Sequence, residues 1–185
     1  MNFDTLLPDS SKRAVEAAAS TIGTNQQLFN KLLAHALSDC GKTSERAVRV
    51  VNLCLERSPK LIAKHTTKIL DRLLCTENES LRFNLLKIFI TIGLPLNRKQ
   101  LGRLVNLCFD TLDRQCKRIA QKVYAIEILY KVSLVEPGIK SELAAIIKRE
   151  VPFASMAFRT RGRQVLKKLG IAGQMDDLSS DSEFI

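Results

Sequence analysis

Apolar residues recur along the chain at intervals of three and four, and turn-forming residues cut the pattern into segments of helical length. Asp9, Ser10 or Ser11 is placed to cap a first helix ending near Gly23. Asn25 opens a second, with Leu28, Leu32, Leu33, Ala36 and Leu37 on one face and Gly41 as its stop. Thr43 or Ser44 caps a third, which runs to about Arg57. Pro59 suits the first turn of a fourth, reaching about Leu74. Asn78 caps a fifth that runs to about Ile92, where Gly93 and Pro95 end it. Asn97 opens a sixth to about Leu112, and Asp113 caps a seventh to about Leu134, closed by Pro137 and Gly138. An eighth spans about Ile139 to Arg149, and a ninth about Ser155 to Leu169. No apolar/polar alternation bounded by turn signals competes with these segments, so strands are not expected. The first seven or eight residues are expected to be loose. The stretch from Gly173, GQMDDLSSDSEFI, is acidic, serine-rich and without a stripe, which predicts a disordered tail.

The helices recur as a unit. RAVRVVNLCLERSP (46–59) aligns with RFNLLKIFITIGLP (82–95) at an offset of 36 residues, and KVYAIEILYKVSLVEP (122–137) follows 40 further on. Each copy starts on a basic residue and closes at Pro59, Pro95 or Pro137, after a helix that ends in a short polar linker. A two-helix unit with this period is the signature of an α-solenoid, because one pair cannot bury its own apolar faces and must stack on the next. Helix 44–57 leaves only Arg49, Asn52 and Glu56 as a narrow polar strip, and helix 79–92 leaves Asn84, Lys87 and Thr91. Such helices are covered on most sides by neighbours. Leu53 and Ile90 are expected to face the core between repeats.

The stretch LLAHALSDCGKTSERAVRVVNLCLERSP resembles a HEAT repeat: a leucine-rich first helix, an Asp-containing turn, and a second helix that starts with Arg. The resemblance covers about residues 25–150. It implies an all-α, right-handed α-solenoid of about four HEAT-like helix pairs plus a C-terminal helix, related to the armadillo-like proteins. It also implies that second helices line a concave face, with Glu127, Lys131, Arg118 and Lys122 on or near it. The Asp–Arg ladder of that family maps onto Asp39 with Arg46, Glu77 with Arg82, and Asp113 with Arg118 or Lys122.

Composition narrows the class. The chain has 185 residues, 45% hydrophobic, with no Trp and five Pro, which favours helix and gives enough chain for a core without staples. The longest apolar run, Leu85 to Leu96, carries Lys87 and is too short to span a bilayer. The opening MNFDTLLPDS has no basic segment and carries two acids, so no secretory leader is expected. Cys40, Cys54, Cys75, Cys108 and Cys116 are odd in number and form no C-x-x-C, so they read as reduced, mostly buried thiols of a cytoplasmic protein. The net charge of +10 is uneven: Asp176 to Ile185 holds four acids and no base, leaving the rest of the chain at +14. Such a body attracts a polyanion or an acidic protein surface.

Catalytic patterns are missing from the sequence. His35 and His65 lie among apolar neighbours in different segments and read as packing residues. There is no H-x-x-x-H, no phosphate-cradling glycine loop and no G-x-S-x-G. No enzyme activity, cofactor or metal is expected. Two basic clusters remain. Arg114, Arg118 and Lys122 form an i, i+4, i+8 ridge. The segment AFRTRGRQVLKKLG sets Arg159, Arg161 and Arg163 at the start of a helix, where the helix dipole disfavours cations. A bound anion, an acidic partner or the acidic tail would offset that. With Arg49 and Lys87 on the polar strips, these are the candidate partner- or polyanion-binding residues. The resulting expectation is a single HEAT-like domain over 1–172 with a tail over 173–185, acting as a non-catalytic protein-binding scaffold. Acidic protein surfaces are its expected partners. The alternative is a nucleic-acid-binding protein that grips phosphates with Arg and Lys ridges, and an enzyme of unrecognised chemistry stands third.

Overall fold

Helix starts are where this sequence is most explicit, and most of the caps named by it are used, although Thr43 and Ser44 fall inside the helix Lys42–Arg57 rather than at its start. In a computed structural model, which describes residues 2–38, 41–113 and 119–171, ten α-helices and two 3-10 turns account for most of the chain, with no strand among the described residues. The helices are α1 (Phe3–Leu6), α2 (Lys12–Ile22), α3 (Gln26–Leu37), α4 (Lys42–Arg57), α5 (Thr66–Cys75), α6 (Glu79–Ile92), α7 (Arg98–Asp113), α8 (Ile119–Ser133), α9 (Lys140–Glu150) and α10 (Met156–Lys168). Ser11, Asn25, Asn78 and Ser155 each accept backbone N–H bonds from the first turn of the helix that follows. At α7 a reciprocal capping box forms: Gln100 N–H donates to Asn97 Oδ1 at 2.9 Å, and Asn97 N–H to Gln100 Oε1 at 3.0 Å.

Four expectations are corrected. The segment after Pro59 is not one helix. Pro59–Ile62 forms a 3-10 turn, and α5 begins only at Thr66. Its geometry turns both Leu61 and Ile62 inward and offers the Leu61 carbonyl to Gln26 Nε2 at 3.0 Å. The β-branched pair Thr66-Thr67 adds little helical propensity to bridge the gap. The N-terminus is not loose either. Asn2 caps α1, Leu7 is fully buried, and the Arg46 guanidinium donates to the Leu7 and Pro8 carbonyls at 2.8 and 2.7 Å. Tertiary anchors hold a segment that carries no periodic signal. Gly41 starts α4 rather than ending α3: at φ +72° and ψ −154° it takes a conformation open mainly to glycine. Asp113 is the last residue of α7, not the cap of the next helix.

The contacts divide the chain into two compact units, residues 1–107 and 108–185, with the division inside α7. In the first unit α4 is the central element, packed against α2, α3 and α6. Ala47, Val48, Val50, Val51, Cys54 and Leu55 of α4 are buried, as are Leu81, Leu85, Leu86, Ile88 and Phe89 of α6. Leu53 and Ile90, expected in the core, are only half-buried, because each lies on the side of its helix away from the centre of the buried arc. The polar strips of α4 and α6 meet each other. Asn52 is buried and donates from Nδ2 to the Asn84 carbonyl at 3.1 Å, and Glu56 pairs with Lys87 at 3.0 Å.

In the second unit α8 packs against both α9 and α10, and α9 against α10. Ala125, Ile126, Ile128, Leu129 and Val132 of α8 meet Leu143 and Ile147 of α9 and Phe158, Val165 and Leu166 of α10 in a buried layer. Gly162 lets α10 approach α9 closely: a Cβ there would stand 2.8 Å from Ile147 Cγ2 and 3.2 Å from Val151 Cγ2.

Candidate functional site

The sequence singled out cations, and the structure shows how many of them the fold itself consumes. Arg49 donates to the Ser10 carbonyl at 2.8 Å, and Lys87 is paired with Glu56. Both serve the first unit's own packing. Arg114 and Arg118 lie outside the described residues, as do Asp39, Cys40, Cys116 and the tail. Lys122 pairs with Glu150 at 3.0 Å, and both side chains are largely shielded. Arg161 donates to Glu127 Oε2 and, at 2.9 Å, to Gln164 Oε1. Glu127, expected on an open face, is thus an internal partner, 16% exposed. It supplies much of the negative charge that the arginines near the start of α10 call for.

The expected Asp–Arg ladder forms differently. Arg82 donates to the Thr76 carbonyl rather than to Glu77. Asp113 takes Arg149, at 2.5 Å, in place of Lys122. The Asp113 and Glu150 carboxylates beside Arg149 raise its already high pKa further, so it is a fixed cation.

Of the candidate cations, Arg163 on α10 is exposed and has no ion pair among the described residues. Met156, Thr160, Arg163 and Lys167 are exposed and follow one another at i, i+4, i+7 and i+11, which is one continuous stripe. Lys168 is exposed beside it and lies 5.3 Å over the Tyr130 ring. The helix carries Arg159, Arg161, Arg163, Lys167 and Lys168 and no acid. At its N-terminal end the turn after α9 carries Phe153, 92% exposed, next to Met156 at 72%. Beside Phe153 opens a groove of about 330 Å³ lined by Ile119, Lys122, Glu150, Phe153, Ser155 and Phe158. Sequence reasoning missed Phe153 and Met156. The signal was a pair of large apolar residues in the Pro152 turn, off any helical stripe.

In the first unit a second groove, about 410 Å³, lies at the 3-10 turn between Thr24, Gln26, Arg57 and Leu61. His65 Nε2 and Asn30 Oδ1 are 2.8 Å apart nearby, and burial with the Lys68 charge lowers the His65 pKa. His35 stacks on Phe3 at 4.2 Å. Neither imidazole meets a nucleophile or a metal-ligand cluster, and no group of three or more metal-ligating side chains occurs among the described residues. Cys54 and Cys108 are buried thiols with raised pKa, Cys54 up to about 11, and Cys75 is exposed; all three are free. No helix is long and apolar enough to cross a membrane among the described residues.

Stacked helix pairs with interlocking polar strips define an all-α repeat protein with a cationic, partly apolar face. Residues 3–169 match the family model of the HEAT repeat domain, and the chain belongs to that family. Repeats of this kind generally serve as protein-interaction scaffolds and are typically non-catalytic. No curated protein and no solved structure matches the chain.

Proposed function

We propose that the chain is a non-catalytic scaffold in the cytoplasm, with residues 1–172 as one HEAT-like domain, and that it binds an acidic protein surface through the exposed face of α10 and the groove at its start. One observation carries this reading: Arg163 and Lys167, exposed and without an ion pair among the described residues, share one stripe of α10 with Met156, and the exposed Phe153 stands in the turn just before it. An acidic protein segment with an apolar anchor satisfies both ends of that stripe. A nucleic-acid backbone would use the cations and leave the apolar end idle. Among the candidate residues, Arg163 is the primary contact, with Arg159 and Arg161 flanking it; Arg49, Lys87 and Lys122 act as internal ties.

The test is an affinity pull-down from native lysate, with and without nuclease, alongside salt titrations of an acidic polypeptide and of DNA and RNA. The reading expects protein partners that survive nuclease and are lost in an Arg163→Gln, Lys167→Gln variant. Partners that vanish with nuclease, and nucleic-acid affinity that falls steeply with salt, would replace it with phosphate-backbone binding.

A further inference from the structure

From the α10 face we infer that this protein's own acidic segment, residues 174–185, docks there by running back antiparallel to α10. The inference rests on reading that face as acid-binding, and adds the occupant and its register. The order of residues carries it. Going from the C-terminal to the N-terminal end of α10, the exposed stripe reads Lys167, Arg163, Thr160, Met156, then Phe153 and the groove. Going outward from the last described residue, Ile171, the sequence reads Asp176, Asp177, Asp181, Glu183, then Phe184 and Ile185. Cations come first and apolar residues last along the helix. Acids come first and apolar residues last along the segment. An antiparallel return therefore matches charge with charge and anchor with groove, whereas a parallel path has no helix to follow.

The dimensions agree. At 1.5 Å per residue, the 13 residues of α10 span about 20 Å. The 14 residues from 172 to 185 have a random-coil span of about 20 Å and a stretched reach of about 46 Å. Phe184 then reaches the groove with chain to spare for the reversal near Gly173. In the groove its ring meets Phe153 and the rim of Phe158, an arrangement open to edge-to-face contact. The individual ion pairs at the surface are weak, so the apolar end fixes the register and the acids supply attraction that salt screens.

A single reporter tests this. Phe153→Trp gives the chain its one tryptophan at a site 92% exposed, where an aromatic ring is preserved. In the full-length protein the docked segment shifts its emission to the blue and slows acrylamide quenching several-fold relative to the same variant ending at 173. A synthetic peptide of residues 174–185 added to the shortened protein restores the shift. Phe184→Ala with Ile185→Ala, which keeps every charge, abolishes it. Equal emission and quenching in full-length and shortened proteins overturn the inference. So does a shift that survives the Phe184, Ile185 replacement, or one that appears only as protein concentration rises, which would mark a second copy as the occupant. Binding of labelled polyglutamate to the shortened protein separates the two levels: if it binds and the tail does not dock, only this inference falls. If neither binds, the acid-binding reading of the face falls with it.

Discussion

The two compact units solve the repeat problem differently. Residues 1–107 join distant positions largely through side chains bonded to backbone carbonyls: Asn52 on the Asn84 carbonyl, Gln26 on the Leu61 carbonyl, and Arg46 on the Leu7 and Pro8 carbonyls, with Glu56–Lys87 and Arg103–Asp71 as half-exposed ion pairs. Residues 108–171 rely on charge, with Lys122–Glu150, Arg149–Asp113 and Arg161–Glu127 all joining distant positions. The exposed large apolar side chains, Ile119, Leu134, Val135, Phe153 and Met156, all belong to this second unit. A repeat unit buries its apolar surface against neighbours, and apolar side chains left in the open at its face mark where a partner is received. On the proposed reading, the first unit is the closed part of the molecule and the second the receptive part.

That contrast breaks most visibly in the closed unit. Phe89→Ala removes a fully buried ring from the α4–α6 layer and is expected to cost about 3–5 kcal/mol, read as a lowered urea midpoint. A loss under about 0.5 kcal/mol would mean the layer is not tightly packed. In the second unit, Glu127→Ala strands the shielded Arg161 guanidinium and should cost about 1.5–3 kcal/mol, whereas exposed pairs elsewhere cost little when broken. Gly162→Ala forces a methyl group against Ile147 and Val151, for about 1–3 kcal/mol. A neutral result would show that α9 and α10 lie further apart than described. Smaller again is the pH effect of Cys54. Its burial raises the thiol pKa from 9.0 to about 11, so its contribution to stability is whole below pH 9 and is lost as pH rises through about 11. Urea midpoints measured across that window should fall less steeply in Cys54→Ala. Smallest is Phe153→Ser in the protein ending at residue 173, expected to leave stability within about 0.5 kcal/mol, because the ring it removes is there in solvent.

The fold was legible because its signals are local. Caps at Ser11, Asn25, Asn78, Asn97 and Ser155, with stripes between them, need only neighbours a turn away. What escaped depended on contacts from far along the chain. Nothing near Leu7 announces that Arg46 will hold it, and nothing near Arg161 announces Glu127, 34 residues earlier. The site suffered most from this. Charge in the sequence located the cations but not their partners, so Arg49, Lys87, Lys122 and Arg161 read as free when they are engaged. Nothing near Gly162 in the sequence announces that it packs against Ile147 and Val151. Phe153 and Met156 carry no periodic signal, and only their exposure marks them.

The most direct test of the contrast uses the protein ending at residue 173 and a fluorescently labelled acidic peptide at low salt. Anisotropy titrations compare Arg163→Gln with Lys167→Gln on α10 against Lys64→Gln with Lys68→Gln, exposed cations of the first unit. Loss of one or two exposed ion pairs is worth about 0–1 kcal/mol each, so the α10 variant should bind several-fold more weakly while the first-unit variant binds as the unmodified protein does. Equal weakening in both variants, or none in either, would contradict the assignment of α10 as the receptive face.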